Sequence, residues 1–193
     1  MILEAVVTTV DQQGQVNIAP MGPLVDPEWT QITLRPFVSS RTYANLQQTQ
    51  RAVVHVTDDC LLLARAAIGR LDPAGLTEAL EGGTFHPLRD CCRWYAVEAE
   101  AWSSDPQRPD VRCRIVKQHR QRDFFGLNRA KHAVLEAAIL ATRVRLLPRA
   151  AIDQQIEQLK PLIEKTGGPA EQTAFAMLED YIAGAAADTA NDA

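Results

Sequence analysis

The chain changes its hydrophobic period part-way along. Up to about residue 125 the apolar positions alternate with polar ones or fall in short β-branched runs, the pattern of half-buried and buried strands. Beyond Gly126 they recur at three- and four-residue intervals, as on an amphipathic helix. Ile2 to Val10 reads as a strand, the polar Asp11-Gln12-Gln13-Gly14 as a hairpin turn, and Gln15 to Ala19 as the returning strand. Pro20, Gly22, Pro23 and Pro27 predict a loop, because neither Pro nor Gly supports a continuous ladder. Trp29 to Leu34 alternates again, and Ala52 to Thr57 is a β-branched run. Trp94 to Ser104 and Val111 to His119 form a second hairpin around Asp105 to Pro109.

Helical character interrupts the strands at three places: Thr42 to Gln50, the apolar run Leu61 to Ile68, and a segment opened by Asp72-Pro73 and stopped by Gly82-Gly83. In the last third, Ala130, Ala133, Val134, Ala137, Ala138 and Ala141 mark one helix, with Asn128 as its cap. Ile152, Ile156, Leu159 and Ile163 mark a second, ended by Gly167-Gly168; Pro169 opens a third, striped by Phe175, Leu178 and Ile182. Strands first and helices last is the α+β pattern. The expected organisation is a strand-built region over residues 1–125, a helical extension over 126–185 packed with it as one structural unit, and a disordered tail over 186–193.

The 193 residues suffice for one domain with a substantial core. Hydrophobic residues at 46% and charged residues at 23% are ordinary for a folded globular chain. A net charge of −4 gives no reason to expect nucleic acid or an anionic membrane as a partner, so any bound anion needs a local cluster of positive groups. No apolar run approaches the roughly 20 residues that span a bilayer. The N-terminus lacks a basic segment, and the four cysteines form no framework; both fit a cytoplasmic protein.

One such cluster is Ser39-Ser40-Arg41-Thr42: three hydroxyls and a guanidinium where a helix begins. A helix N-terminus offers unpaired N–H groups and partial positive charge, a natural seat for a phosphate. Asn45 lies one turn on, and Arg35 is a second cation nearby. The plainer reading is that Ser40 or Thr42 caps the helix and Arg41 is solvated. Ala19-Pro20-Met21-Gly22 is equally double: a strand end, or a wall of small residues that a flat ring can approach, with Met21 against its face. His55, mid-strand between valines, reads as a core or interface histidine satisfied by a hydrogen bond, with contact to a bound cofactor as the alternative. Asn128-Arg129 opens the long helix with Arg129, Lys131 and His132 crowding its start, where positive charge is unfavourable. An anion would explain it, as would ion pairs with Asp123 or Glu136. Lys117, His119, Arg120 and Arg122 form a basic stretch that is either a solvated strand end or the lip of a site for an anionic substrate. His86, Cys91 and Cys92 lack the ligand spacing of a structural zinc site, and glycine-rich nucleotide loops and the Gly-x-Ser-x-Gly elbow are absent.

Asn17-Ile18-Ala19-Pro20-Met21-Gly22-Pro23, then Arg35-Pro36-Phe37 with Ser39-Ser40-Arg41-Thr42-Tyr43-Ala44-Asn45-Leu46, resemble in order the flavin-reductase-like FMN-binding split barrels. Phe124-Phe125-Gly126-Leu127-Asn128-Arg129-Ala130 is similar to a branch of that superfamily, the domain of unknown function 447, and the likeness spans about Met1 to Ile182. The resemblance implies a six-stranded antiparallel split barrel that forms a homodimer, with FMN in a groove between subunits. It implies an FMN-dependent oxidoreductase acting on a small molecule, anions among the candidates, with a cofactor site comprising Ser39, Ser40, Arg41, Thr42, Asn45, Arg35, Ala19, Pro20, Met21, Gly22, Asn128 and Arg129. The alternatives are a non-enzymatic FMN carrier and a pterin-binding protein of one-carbon metabolism.

Overall fold

The computed structural model describes residues 1–80 and 82–191, with side chains described through Ala185. Two compact units make up the chain. The first holds Met1–Thr57 and Asp72–Phe124, and the second Asp58–Leu71 and Phe125–Ala193.

The first unit contains β1 (Ala5–Val10), β2 (Val16–Met21), β3 (Leu24–Val25), β4 (Gln31–Leu34), α1 (Arg41–Thr49), β5 (Arg51–Val56), β6 (Arg93–Trp102) and β7 (Val111–Arg120). Its sheet runs β2-β1-β5-β6-β7-β4-β3, and every pair is antiparallel. The first residues of the chain close it. Ile2 bridges Leu24, the Met1 amine donates to the Val25 carbonyl, and the Leu3 N–H donates to the Pro23 carbonyl. The start of the chain thus pairs with β3 while β1 pairs with β2, which curls the sheet into a split barrel.

Seven strands are described where six were expected. The extra one is β3, in the stretch read as a loop, and β2 also runs through Pro20 to Met21. Proline is tolerated there because β2 has a neighbour only on its β1 side, and its outer side needs no ladder bond. At the next corner an added Cβ on Gly22 would lie 3.0 Å from Ile2 Cγ2, so the crossing chain favours glycine. The helix expected from Asp72 does not form. The Asp72 carboxylate accepts from the Ala74 N–H, and Gly75 takes φ +74°, which ends the turn after one step.

Alternation puts Val7, Ile32, Leu34, Val54, Tyr95, Val97, Val111 and Cys113 inside the barrel, with Leu46 of α1 among them. β1 is buried on both faces. Its outer face is covered by the segment before β6: Thr8 donates to the His86 carbonyl at 2.7 Å, and His55 bridges Val6 and Leu88. Two register irregularities between β6 and β7 bend that hairpin.

The second unit contains α2 (Cys60–Ala67), α3 (Arg129–Ala141), α4 (Arg149–Thr166) and α5 (Pro169–Asn191). The alanine stripe of α3 is fully buried, which lets neighbouring helices approach closely. α4 ends at Gly167, where a Cβ would lie 2.6 Å from the Ile163 carbonyl oxygen, so the cap favours glycine. No helix among the described residues is long and apolar enough to cross a membrane. The expected tail, 186–193, lies outside the residues whose side chains are described.

Candidate functional site

The loop from β4 into α1 is held rigidly. Ser40 is the N-cap of α1: its Oγ accepts from the Tyr43 N–H at 3.1 Å and donates to the Phe37 carbonyl at 2.7 Å. The Val38 N–H donates to the Gln107 carbonyl at 3.0 Å, tying the loop to the β6–β7 turn. Arg35 Nε donates to Asp110 Oδ1 at 3.1 Å. Arg108 Nε donates to the Arg35 carbonyl at 3.0 Å, and its guanidinium lies 4.8 Å from the centre of the Phe37 ring. Backbone N–H donation from Arg108, then Gln107, holds the Asp105 carboxyl below its usual range.

On this frame the expected residues divide. Ser39 and Arg41 are exposed on either side of the cap, and among the described residues no carboxylate pairs with Arg41. The first turn of α1 carries no acidic residue. Its leading amides, at Arg41 and Thr42, have no acceptor within the helix. Thr42 and Asn45 turn the other way and are buried. Thr42 Oγ1 accepts from Asn17 Nδ2 at 3.0 Å, and Asn45 Nδ2 donates to Thr9 Oγ1 at 3.1 Å. These two side chains fasten α1 to β1 and β2. Arg35 is engaged by Asp110.

Asn17 stands near the start of β2, so the Thr42 contact sets the head of α1 at one end of that edge strand. Pro20 has no N–H, so Val6↔Pro20 must be a non-hydrogen-bonded pair. Alternation then turns the Ile18 N–H and C=O and the Pro20 C=O toward the open edge. From Asn17 to Met21 the strand runs about 13 Å. Exposed donors of the α1 head therefore sit at one end of an edge that carries outward-facing backbone groups and the small residues Ala19 and Gly22.

Asn128 and Arg129 lie in the second unit. Asn128 caps α3: its Oδ1 accepts from the Lys131 N–H at 3.0 Å and its Nδ2 donates to the Thr166 carbonyl at 3.1 Å. Arg129 is exposed. Positive charge at this helix start is answered from within the unit. Lys131 Nζ donates to Glu171 Oε1 at 2.9 Å and to the Asp58 carbonyl at 2.8 Å. Burial alone would lower the Lys131 pKa and raise that of Glu171; the bond between them reverses both shifts. The partners are not the Asp123 and Glu136 weighed from sequence, apart from a 4.0 Å approach of His132 to Glu136.

His55 is fully buried, with Nδ1 2.9 Å from the Val6 carbonyl and Nε2 3.0 Å from the Leu88 nitrogen. The Leu88 N–H must donate to Nε2, so the proton sits on Nδ1. Burial drives its pKa down to about 4. Sequence reasoning missed a second concavity, at the end of the barrel where β5 finishes. Trp29 stacks there on Tyr95, with ring centres 4.5 Å apart. Arg93 and Arg120 stand beside them, facing each other across β6 and β7, a register that no sequence motif announces.

The family model described as "Protein of unknown function (DUF447) N-terminal domain" matches residues 3–122, and that described as "Protein of unknown function (DUF447)" matches 128–180. Among solved structures, the chain is similar to an FMN-bound protein from Methanosarcina mazei of the same family model. The TM-score is 0.82 at 24% identity, over 93% of this chain and 94% of that one. A flavin reductase domain protein from Arthrobacter sp. FB24 matches at TM-score 0.54 and 17% identity, over 64% of this chain and 80% of that one. The styrene monooxygenase flavin reductase from Pseudomonas putida S12 matches at TM-score 0.51 and 14% identity, over 61% and 78%. At these identities the likeness is one of fold.

Proposed function

The chain belongs to the DUF447 family, and on that premise we propose that it is an FMN-binding protein, with the phosphate at the head of α1 and the ring along the open edge of β2. The observation that carries this reading is the exposed, carboxylate-free pair Ser39 and Arg41 at a helix start that Thr42 and Asn17 fix to the end of β2. Arg41 would supply the cation, Ser39 a hydroxyl, and the Arg41 and Thr42 amides the dipolar donors. Ser40 holds the turn. Ala19, Pro20, Met21 and Gly22 would face the ring, with the Ile18 N–H and C=O meeting its polar edge. Asn45 and Arg35 would act by positioning, Asn45 through Thr9 and Arg35 through Asp110. The FMN-bound state of the Methanosarcina protein supports the choice of cofactor.

Bound FMN would supply hydride and electron transfer, and this chain's residues would anchor and orient it. We take the activity to be that of an oxidoreductase on a small molecule, working as a cytoplasmic homodimer. Phe37 and Val38, exposed beside the phosphate loop, offer apolar surface for a second copy. Purified protein should be yellow, or become so when mixed with FMN and desalted. It should elute as a dimer in light scattering. Anaerobic NADH or NADPH should bleach the flavin band. Unchanged yellow under both donors would favour a carrier role, and a chain that ignores FMN would overturn the reading.

A further inference from the structure

We propose that the cavity at the end of the barrel where β5 finishes, floored by the Trp29–Tyr95 stack, binds a small planar aromatic carboxylate, its ring against Trp29 and its anion on Arg93. Three independent observations meet there.

The first is shape. The cavity encloses about 290 Å³, at the small end of ligand sites, and a single ring with one substituent fills such a volume. Its floor is flat, because the two rings lie 10° from parallel.

The second is charge. Arg93 and Arg120 are direct cross-strand partners in β6 and β7, and directly opposed residues share one face of the sheet. Like charges so placed repel, and a local rule broken this way marks a site. Arg120 is answered by Asp123, and Arg122 by Asp90 at 2.7 Å. Arg93 donates to the Tyr95 hydroxyl at 3.3 Å, and among the described residues no carboxylate pairs with it; Asp123, which also lines the cavity, is taken by Arg120. One cation over the aromatic floor is thus left for an incoming anion.

The third is strain. Trp29 has φ +54°, an uncommon conformation for a bulky residue and one that persists only where the surroundings impose it. Asp26 imposes it. Its carbonyl accepts from the Trp29 N–H at 3.2 Å, and its carboxylate accepts from the Thr30 N–H, the Thr30 hydroxyl and the Gln31 N–H. The turn so fixed delivers the indole onto Tyr95 before any ligand arrives.

The site uses residues other than those of the proposed flavin cradle, so it is tested on flavin-free full-length protein. Calorimetric titration with sodium benzoate should give saturable binding. Cyclohexanecarboxylate, which keeps the charge and lacks the flat ring, should bind about two- to tenfold more weakly. Benzyl alcohol, which lacks the charge, should bind at least about tenfold more weakly. Arg93→Gln, an exposed change, should cost benzoate about tenfold or more and leave FMN affinity unaltered. Arg41→Ala should leave benzoate affinity unaltered, whatever it does to FMN. Absence of saturable benzoate binding, indifference to Arg93→Gln, or competitive displacement of benzoate by FMN would each overturn the proposal.

Discussion

Acidification should weaken this fold through one histidine. His55 lies in the barrel wall with both ring nitrogens committed, Nδ1–H to the Val6 carbonyl and Nε2 to the Leu88 N–H. Folded, it takes a second proton only near pH 4; unfolded, near its ordinary 6.5. Between those values the unfolded chain binds more protons, so stability rises with pH there. The contribution is complete above about pH 6.5 and falls away toward pH 4, by about 2 kcal/mol at about pH 5 and about 3 kcal/mol at pH 4. Asp26 titrates elsewhere: hydrogen bonds, first from the Thr30 hydroxyl, hold its carboxyl at about 2, so its contribution is lost only as pH falls below the ordinary carboxylate range. The assay is urea unfolding of the wild type and His55→Gln at about pH 7.5 and about pH 5. The variant should be weaker at about pH 7.5, by about 1–3 kcal/mol, because glutamine fills the two hydrogen bonds imperfectly. It should lose about 2 kcal/mol less than the wild type between the two conditions. Equal losses in the two proteins would refute the assignment.

Three further outcomes follow from the packing. Burial pushes the Cys60, Cys91 and Cys113 thiols up to about 12, so native protein at neutral pH should leave all three unmodified by iodoacetamide, and mass spectrometry should find them labelled only in urea. Lys131→Met strands the Glu171 carboxylate, whose side chain is 10% exposed, and should cost about 2–4 kcal/mol in urea; a double change to Met at both positions should recover much of it. Leu46→Ala, at a fully buried position where α1 meets the barrel core, should cost about 2–5 kcal/mol by the same measurement.

The strands and helices that carry a clear period were legible in the sequence. β1, β5, the β6–β7 hairpin and α3 alternate or stripe strongly enough that packing and pattern agree. The elements that were not legible owe their form to partners distant in sequence. β3 exists because Ile2 and the Met1 amine reach across to it, and no window around Leu24 contains that fact. Pro20 sits within a strand because that strand is an edge. Asp72-Pro73 carries a helix-start signature, yet Gly75 overrides it locally.

The candidate site was legible to a similar depth. Ser40 as a cap follows from its residue type and place. The inward turn of Thr42 and Asn45 depends on Asn17 and Thr9, residues of other strands. The positive start of α3 is answered by Glu171, forty residues away, where sequence offered only nearby carboxylates. The Trp29–Tyr95 floor and the opposed Arg93 and Arg120 are products of register.

The central claim is that the head of α1 captures a phosphate, and equilibrium titration of flavin-free protein with FMN and with riboflavin tests it most directly. Wild type should hold FMN more tightly than riboflavin, and Arg41→Ala should weaken FMN about 10- to 100-fold, the loss of a charge-assisted partner, while leaving riboflavin nearly unchanged. Equal affinity for the two flavins in the wild type, or an Arg41→Ala protein that binds FMN as the wild type does, would contradict it.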